Sequence, residues 1–186
     1  TNNVDSCARV CHAPTAAAMK AVLGTGAATN SYDEIELART ILVSGANPTS
    51  THPIVGARIK QAVLKGARLI VIDPRRIDLV RTPHVEAAHH LPLVPGTNVA
   101  VVTALAHVIV TEGLVNEKFV RERCDWDEFQ DWAAFVSDPR HSPEEVEKVS
   151  GVPADLIRGA ARLYATGGNG AIYYGLGVTE HSQGTT

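Results

Sequence analysis

Two short runs constrain the fold of this chain more than any other feature. Ile41-Leu42-Val43 is followed at once by Ser-Gly-Ala-Asn-Pro, and Leu69-Ile70-Val71-Ile72 by Asp-Pro. Neither run alternates apolar with polar residues. A continuous, β-branched run stopped by turn residues predicts a strand buried on both faces. Such strands belong in a parallel sheet between two layers of helices. The segment between them fits that plan. Pro53 to Lys65 carries Ile54, Val55, Ile59 and Val63 at helical spacing and stops at Gly66.

The rest of the chain repeats the alternation. "EAAHHLPLVPG" reads as a third, weaker strand, and "GAIYYGLGV" as the last. His89 and His90 are neighbours in the third strand and therefore point to opposite faces. Helices are expected at Pro14–Leu23, ended by Gly24, at Tyr32–Ala38, which is short and acidic, and at the strongly apolar Asn98–Val110. Residues 116–166 read as several helices, with start signals at Asn116, Asp125 and Ser142-Pro143. The fold class is α/β: a Rossmann-like parallel sheet covered by helices on both faces, with an extra helical segment around 116–166. Its 186 residues suit a single domain. The first residue is not Met, and the last stretch leaves a strand without a closing element, so the chain reads as a piece of a longer polypeptide.

Composition removes several function classes. The formal net charge is -3 and no basic run is present, which disfavours nucleic acid as a partner. No apolar stretch approaches the roughly 20 residues of a membrane span. No signal peptide is visible. Three cysteines are too few and too odd for a disulfide framework, which makes a reducing, cytoplasmic setting the expectation.

In open parallel sheets ligands sit at the carboxyl ends of the strands, so the residues after each strand matter. They are Gly45-Ala46-Asn47-Pro48, Asp73-Pro74-Arg75-Arg76, Pro95-Gly96-Thr97-Asn98 and Gly175-Leu176-Gly177-Val178-Thr179. Any one loop is explained by turn chemistry alone. Together they suit a nucleotide: glycine lets backbone approach, Asp73 can accept from ribose hydroxyls or a base edge, and Arg75 can pair with phosphate. The usual dinucleotide fingerprint is absent. Gly24-Thr25-Gly26 has no third glycine and no preceding strand, and Gly175-Leu176-Gly177 runs into Glu180. No GxxxxGK[ST] loop exists either, so an ordinary nicotinamide or ATP enzyme is disfavoured.

Near the start, "NNVDSCARVCHAPT" holds Cys7 and Cys11 four apart, with His12 next to Cys11. A cysteine is most often a small buried hydrophobe. A zinc or iron–sulfur site needs about four ligands, and no third cysteine lies near. What remains is one thiolate beside one imidazole. The pair suits an activated nucleophile, or a ligand to a soft metal held mostly by something else.

Five stretches, "NNVDSCARVCHAPT", "GANPTSTHPI", "IVIDPRRIDLVRTPHVEA", "LPLVPGTNVAVVTALAHVIV" and "AIYYGLGVTEHSQGT", together resemble the molybdopterin oxidoreductase superfamily. They most resemble the catalytic alpha subunit of molybdenum- or tungsten-dependent formate dehydrogenase, in its soluble, NAD-linked type. The resemblance spans essentially the whole chain, in order. It implies Cys11 as the protein ligand of the metal and Cys11 with His12 as catalytic residues. His12 favours formate over nitrate as substrate, and an imidazole there can orient formate or carry a proton. Two molybdopterin guanine dinucleotides are implied, contacted by Asn47, His52, Asp73, Arg75, Gly96, Thr97, Asn98, Gly175, Gly177 and Thr179. His52, which opens a helix, reads equally as a phosphate contact or a plain surface residue.

Formate would be oxidised to CO2, and electrons would leave through iron–sulfur clusters in parts of the parent chain outside these residues. Partner subunits carrying iron–sulfur clusters and a flavin diaphorase are implied. So is an active-site arginine beyond Thr186, without which these residues alone are expected to be inactive, and exposed apolar patches are expected where neighbours are missing. Cys7, Cys124, Trp126, Trp132 and Phe135 read as structural packing. Two rival readings are another enzyme of the superfamily, such as a nitrate reductase or a formylmethanofuran dehydrogenase, and a metal-free scaffold like the related subunit of respiratory complex I. Cys11-His12 argues against the scaffold.

Overall fold

The computed structural model describes residues 1–186. Its centre is a four-stranded, all-parallel sheet. The strands are β1 (Thr40–Ser44), β2 (Arg68–Ile72), β3 (His89–Leu91) and β4 (Gly170–Tyr174), in the spatial order β3-β2-β1-β4. In register, Ser44 lies opposite Ile72 and Tyr174, and Ile72 opposite Leu91. All four carboxyl ends therefore meet at one edge of the sheet. The weak third strand is only three residues long, and Pro92, which has no N–H to give to a ladder, follows it.

Both faces are covered. Ile41, Val43, Leu69 and Val71 point to one side, where they pack with Ile59 and Ala62 and with Ile77, Leu79, Val80 and Val85 from the loop after β2. Leu42, Ile70, Ile72 and Leu91 point to the other, against Val101, Ala104, Leu105, Val108, Ile157, Ala160 and Ala161. The unbroken apolar runs are thus explained: alternate residues feed two separate cores. Burying one such Ile or Leu stabilises the fold by roughly 1.5–3 kcal/mol.

In chain order the α-helices are α1 (Ala8–Cys11), α2 (Ala13–Leu23), α3 (Pro48–Thr51), α4 (Pro53–Leu64), α5 (Asn98–Thr111), α6 (Glu117–Arg123), α7 (Trp126–Val136), α8 (Pro143–Ser150), α9 (Ala154–Thr166) and α10 (Leu176–Thr179). Helices α4 and α5 supply the middle of each covering layer, and α8 and α9 extend the second. Gly24 ends α2 with φ 77°, where a residue with a Cβ would be strained.

The three start signals in the 116–166 segment all cap helices. Asn116 accepts from the Phe119 N–H, Asp125 from those of Asp127 and Glu128, and Ser142 from that of Glu145. Three expectations change. The acidic segment is a 3-10 turn, Asp33–Leu37, too short to be an α-helix. The turn at Asn47-Pro48 is the first turn of a helix, α3, because proline at the first helical position is pre-set for it. The last strand stops at Tyr174, and Leu176-Gly177-Val178-Thr179 coils into α10.

The packing roles expected of several residues are also corrected. Cys7 and Cys124 are exposed, Trp132 and Phe135 are 46 % and 58 % exposed, and only Trp126 is partly covered. Helix α7 buries Val136 alone, so its aromatic residues are not core.

Candidate functional site

Five polar residues are buried in the core: Thr40, Ser44, Asp73, Ser150 and Thr179. Ser150 satisfies itself within α8 by donating to the Val146 carbonyl and accepting from the Val152 N–H. Thr40 begins β1, at the amino edge of the sheet. The other three, Ser44, Asp73 and Thr179, all belong to the carboxyl edge. Burying polar groups away from water is costly unless they are paired, and Ser44 Oγ has no partner. Thr40, His141 and Tyr173 also hold an unpartnered buried polar atom, but Ser44 ends β1 at the edge where parallel sheets bind ligands.

Backbone approach shapes that edge. The Gly177 N–H donates to the Gly45 carbonyl at 3.0 Å, and the Gly175 N–H to the Ser44 carbonyl at 3.1 Å. Gly45 has φ 57°, and a Cβ built on it would lie 2.7 Å from the Gly177 carbonyl carbon. A Cβ on Gly177 would in turn meet Gly45 Cα at 2.8 Å. Glycine at 45 and 177 is what lets the loops after β1 and β4 touch.

Asp73 is held by its own loop. Its Oδ1 accepts from the Arg75 N–H at 2.8 Å, and Arg75 Nε lies 3.5 Å from the same oxygen while the arginine side chain stays 72 % exposed. His90 reaches across from β3, and its Nε2–H donates to the Asp73 carbonyl at 2.9 Å. His89, its neighbour, packs instead against Gly159 of α9, so the two imidazoles do face opposite ways. Burial, and then the charge of Arg68, hold the His89 pKa below its usual value.

The loop after β3 reaches the same edge. Thr97 Oγ1 donates to the Val94 carbonyl at 2.7 Å and places Asn98 at the start of α5. The Asn98 amide lies 3.1 Å from His181 Nε2, which itself donates to the Gly177 carbonyl at 2.7 Å. A cavity of about 140 Å³ opens here, lined by Gly96, Asn98, Val99, Val178, His181 and Gly184 among others. The N-terminus of α5 presents free N–H groups at this edge, a setting that favours an anion. A larger hollow of about 620 Å³ is formed wholly by the exposed loop Arg81–Glu86 and joins no second part of the fold.

The cysteine pair lies on the N-terminal helices. Cys11 is half-buried at the end of α1, and His12, exposed, stands between α1 and α2. Four residues on, Thr15 Oγ1 lies 2.8 Å from the buried Thr179 Oγ1. That contact ties the cysteine-bearing segment to the loop after β4. Asn47 and His52 stand apart from the convergence. The Asn47 side chain bonds only to Thr49 and Ser50 within α3, and the exposed His52 ring bonds to Thr51. Ser44, His181 and Thr15 were not singled out from the sequence, and Gly45 and His90 were named only as a turn residue and as a strand residue. Of these, Ser44 left a signal, as a polar residue closing an apolar strand.

The donor set narrows what the edge can hold. Nowhere do three or more His, Cys, Asp or Glu side chains gather to hold a metal ion. A group that brings most of its own metal donors, and needs one thiolate, fits a lone Cys11. A large polar group with phosphates and a base fits an edge with a buried carboxylate, an orphaned hydroxyl and two glycine-lined backbone approaches.

Comparison with known proteins decides the family. The profile of the family described as "Molybdopterin oxidoreductase" matches residues 1–186. The chain belongs to this family. Among molybdopterin oxidoreductases it is 41% identical over 184 residues to "Formate dehydrogenase H" of Escherichia coli strain K12, covering 99% of the chain and 25% of that protein. It is 38% identical over 184 residues to "F420-dependent formate dehydrogenase subunit alpha" of Methanocaldococcus jannaschii, covering 99% of the chain and 26% of that protein. The chain thus spans about a quarter of the length of these relatives. The solved structure of "Acetylene Hydratase from Pelobacter acetylenicus" superposes with a TM-score of 0.78 at 27% identity, covering 94% of the chain and 22% of that protein. A hydratase by name shares the fold with dehydrogenases by name, so activity has to be argued from the site. Membership implies a molybdopterin cofactor, and the donor set described above fits one. No helix is long and apolar enough to cross a membrane.

Proposed function

We propose that residues 1–186 are one molybdopterin-guanine-dinucleotide-binding domain of the catalytic subunit of a formate dehydrogenase, which oxidises formate to CO2. The observation that supports the reading is the contact Thr15–Thr179, which ties the helix that follows Cys11 and His12 to the loop after β4. The names of the relatives reported above support formate as the substrate.

In this reading Cys11 Sγ is the one protein ligand to molybdenum or tungsten, a soft donor for a soft site. Asp73 accepts from the base or ribose of a guanine dinucleotide, and the exposed guanidinium of Arg75 meets phosphate. Gly96, Gly175 and Gly177 let backbone N–H groups approach, and Thr97, Asn98 and Thr179 donate from the loops after β3 and β4. Asn47 and His52, whose side chains bond only to near neighbours in the chain, would reach the dinucleotide from the loop after β1. His12 orients formate and takes up or gives a proton at its imidazole. When bound, the metal–pterin group supplies the two-electron redox chemistry that the protein side chains lack. Iron–sulfur clusters outside these residues, partner subunits with iron–sulfur and flavin centres, NAD as acceptor and a cytoplasmic setting complete the proposal.

The test is metal analysis of the full-length subunit, wild type beside Cys11→Ala, with formate-dependent dye reduction on both. Wild type with about one metal per chain and formate turnover, both reduced in Cys11→Ala, is the expected result. A wild type with neither metal nor turnover would assign the chain to the metal-free scaffolds.

A further inference from the structure

Helix α7 buries only Val136 and leaves two large aromatic side chains half-exposed. Its sequence, WDEFQDWAAFV, carries four aromatic residues, three acids and no lysine or arginine. Trp126, Phe129 and Val136 lie on its inner side, where Trp126 and Phe129 pack at 5.6 Å between ring centroids and the Arg121 guanidinium caps Trp126 at 3.5 Å. Trp132 packs one side of its ring against Phe129 at 5.8 Å and Phe135 packs against His141 at 4.7 Å, and both remain about half-exposed on the outer part of the helix. Helical spacing sets an acid one turn before each: Glu128 four residues before Trp132, and Asp131 four before Phe135. Asp127, in the first turn, lies one turn before Asp131. None of the three acids forms an ion pair, although acids elsewhere on the surface do, such as Glu112 with Arg162. The helix thus combines two half-exposed aromatic side chains with three acids that have no ion-pair partner.

An aromatic side chain covers 150–250 Å² when buried, and Trp is among the residues that most often dominate binding energy. Water is a poor environment for this face, and the charges say what would cover it. A second copy docked through α7 about a two-fold axis would set three acids against three acids. A partner that brings cations would neutralise them. We infer that the outer face of α7 is a docking surface for a protein partner whose contact surface is apolar and rimmed by lysine and arginine. This stands independently of the cofactor reading, because no residue of α7 reaches the carboxyl edge of the sheet.

The test uses the full-length subunit. Two amphipathic helical peptides serve as probes, one of leucine and lysine and one of leucine and glutamate, each dye-labelled for anisotropy. The leucine–lysine peptide is expected to bind saturably and more tightly than the leucine–glutamate peptide. Binding should weaken about tenfold in Asp127→Asn/Glu128→Gln/Asp131→Asn and again in Trp132→Ala, with the melting temperature kept. Equal binding of both peptides, or no loss in the variants, would overturn the inference. A dimer in sedimentation that dissociates in Trp132→Ala would also overturn it, by naming a second copy as the occupant. So would no binding of either peptide, since the face would then be covered by the subunit's own polypeptide.

Discussion

Thr15 Oγ1 and the buried Thr179 Oγ1 lie 2.8 Å apart, and this is the only hydrogen bond between residues 1–27 and the rest of the fold. Helices α1 and α2 bury no residue fully. The pair therefore anchors the segment that bears Cys11, and it does so from one side of a loop already fixed by the Gly45–Gly177 approach. Thr15→Val keeps the shape and removes the hydroxyl. The single change should cost about 1 kcal/mol, the net worth of one hydrogen bond. Its local effect should be larger: tryptic cleavage after Lys20 should quicken several-fold while the denaturant midpoint barely moves. Equal cleavage rates in wild type and Thr15→Val would mean that the hydroxyl pair anchors nothing.

Gly45 and Gly113 provide a matched comparison. Both have positive φ, 57° and 67°, but a Cβ on Gly113 would meet nothing within 4 Å whereas one on Gly45 would strike the Gly177 backbone. Gly113→Ala should cost about 1–2 kcal/mol, the price of a left-handed L-residue. Gly45→Ala should cost upwards of ~3 kcal/mol, because two backbone segments must also part. Urea unfolding of the two variants measures the difference, and similar midpoints would mean that the loops separate freely.

Much of this was legible in the sequence, for physical reasons that differ by element. Ile41–Val43 and Leu69–Ile72 announced themselves because a strand buried on both faces leaves no polar positions. Asn116, Asp125 and Ser142 were legible because capping is local chemistry between a side chain and N–H groups two or three residues on. The carboxyl-edge loops were legible once strand direction was known. Contacts made across long separations were not. Thr15 with Thr179, His90 with the Asp73 carbonyl and Asn98 with His181 depend on tertiary placement that no local pattern encodes. Trp132 and Phe135 misled because aromatic residues at helical spacing usually mark a core, and only the neighbouring elements decide which side of α7 is covered.

His89 and Gly159 are packed so closely that a Cβ on Gly159 would lie 2.7 Å from His89 Cε1. Gly159→Ala alone should therefore destabilise by roughly 1–3 kcal/mol through overpacking, despite the better helix propensity of alanine. With His89→Ala the ring is gone, and the same glycine change should become neutral or stabilising by up to ~1 kcal/mol. A double-mutant cycle by urea unfolding reads this coupling directly. Additive effects would mean that the ring swings away at no cost.

His89 also carries a pH dependence. Its folded pKa is depressed by burial and then by Arg68, so the unfolded chain binds a proton more readily than the fold does. The contribution is therefore intact above the ordinary histidine range and declines as pH falls through it. Urea midpoints measured downward from neutral pH should drop in wild type and drop less in His89→Asn. Parallel curves would show that another group sets the decline.

Asp138 titrates in a separate and lower window. The Arg140 side chain first, then its backbone N–H, hold the Asp138 carboxyl down at about 2, against an ordinary value of 3.8. A depressed carboxylate pKa stabilises the fold above the unfolded value, and that stabilisation disappears as pH falls from 3.8 toward 2. Asp138→Asn keeps an acceptor for the Arg140 N–H and removes the charge. The variant should be less stable than wild type at neutral pH, and the gap should close between pH 3.8 and about 2. Because the Arg140 side chain is 82 % exposed, salt should narrow the gap at neutral pH as well. Urea midpoints against pH, at low and high salt, test both statements. A gap that stays constant down to the acid limit would assign the effect of Asp138 to its role as a cap for the turn Pro139–His141 instead of to its charge.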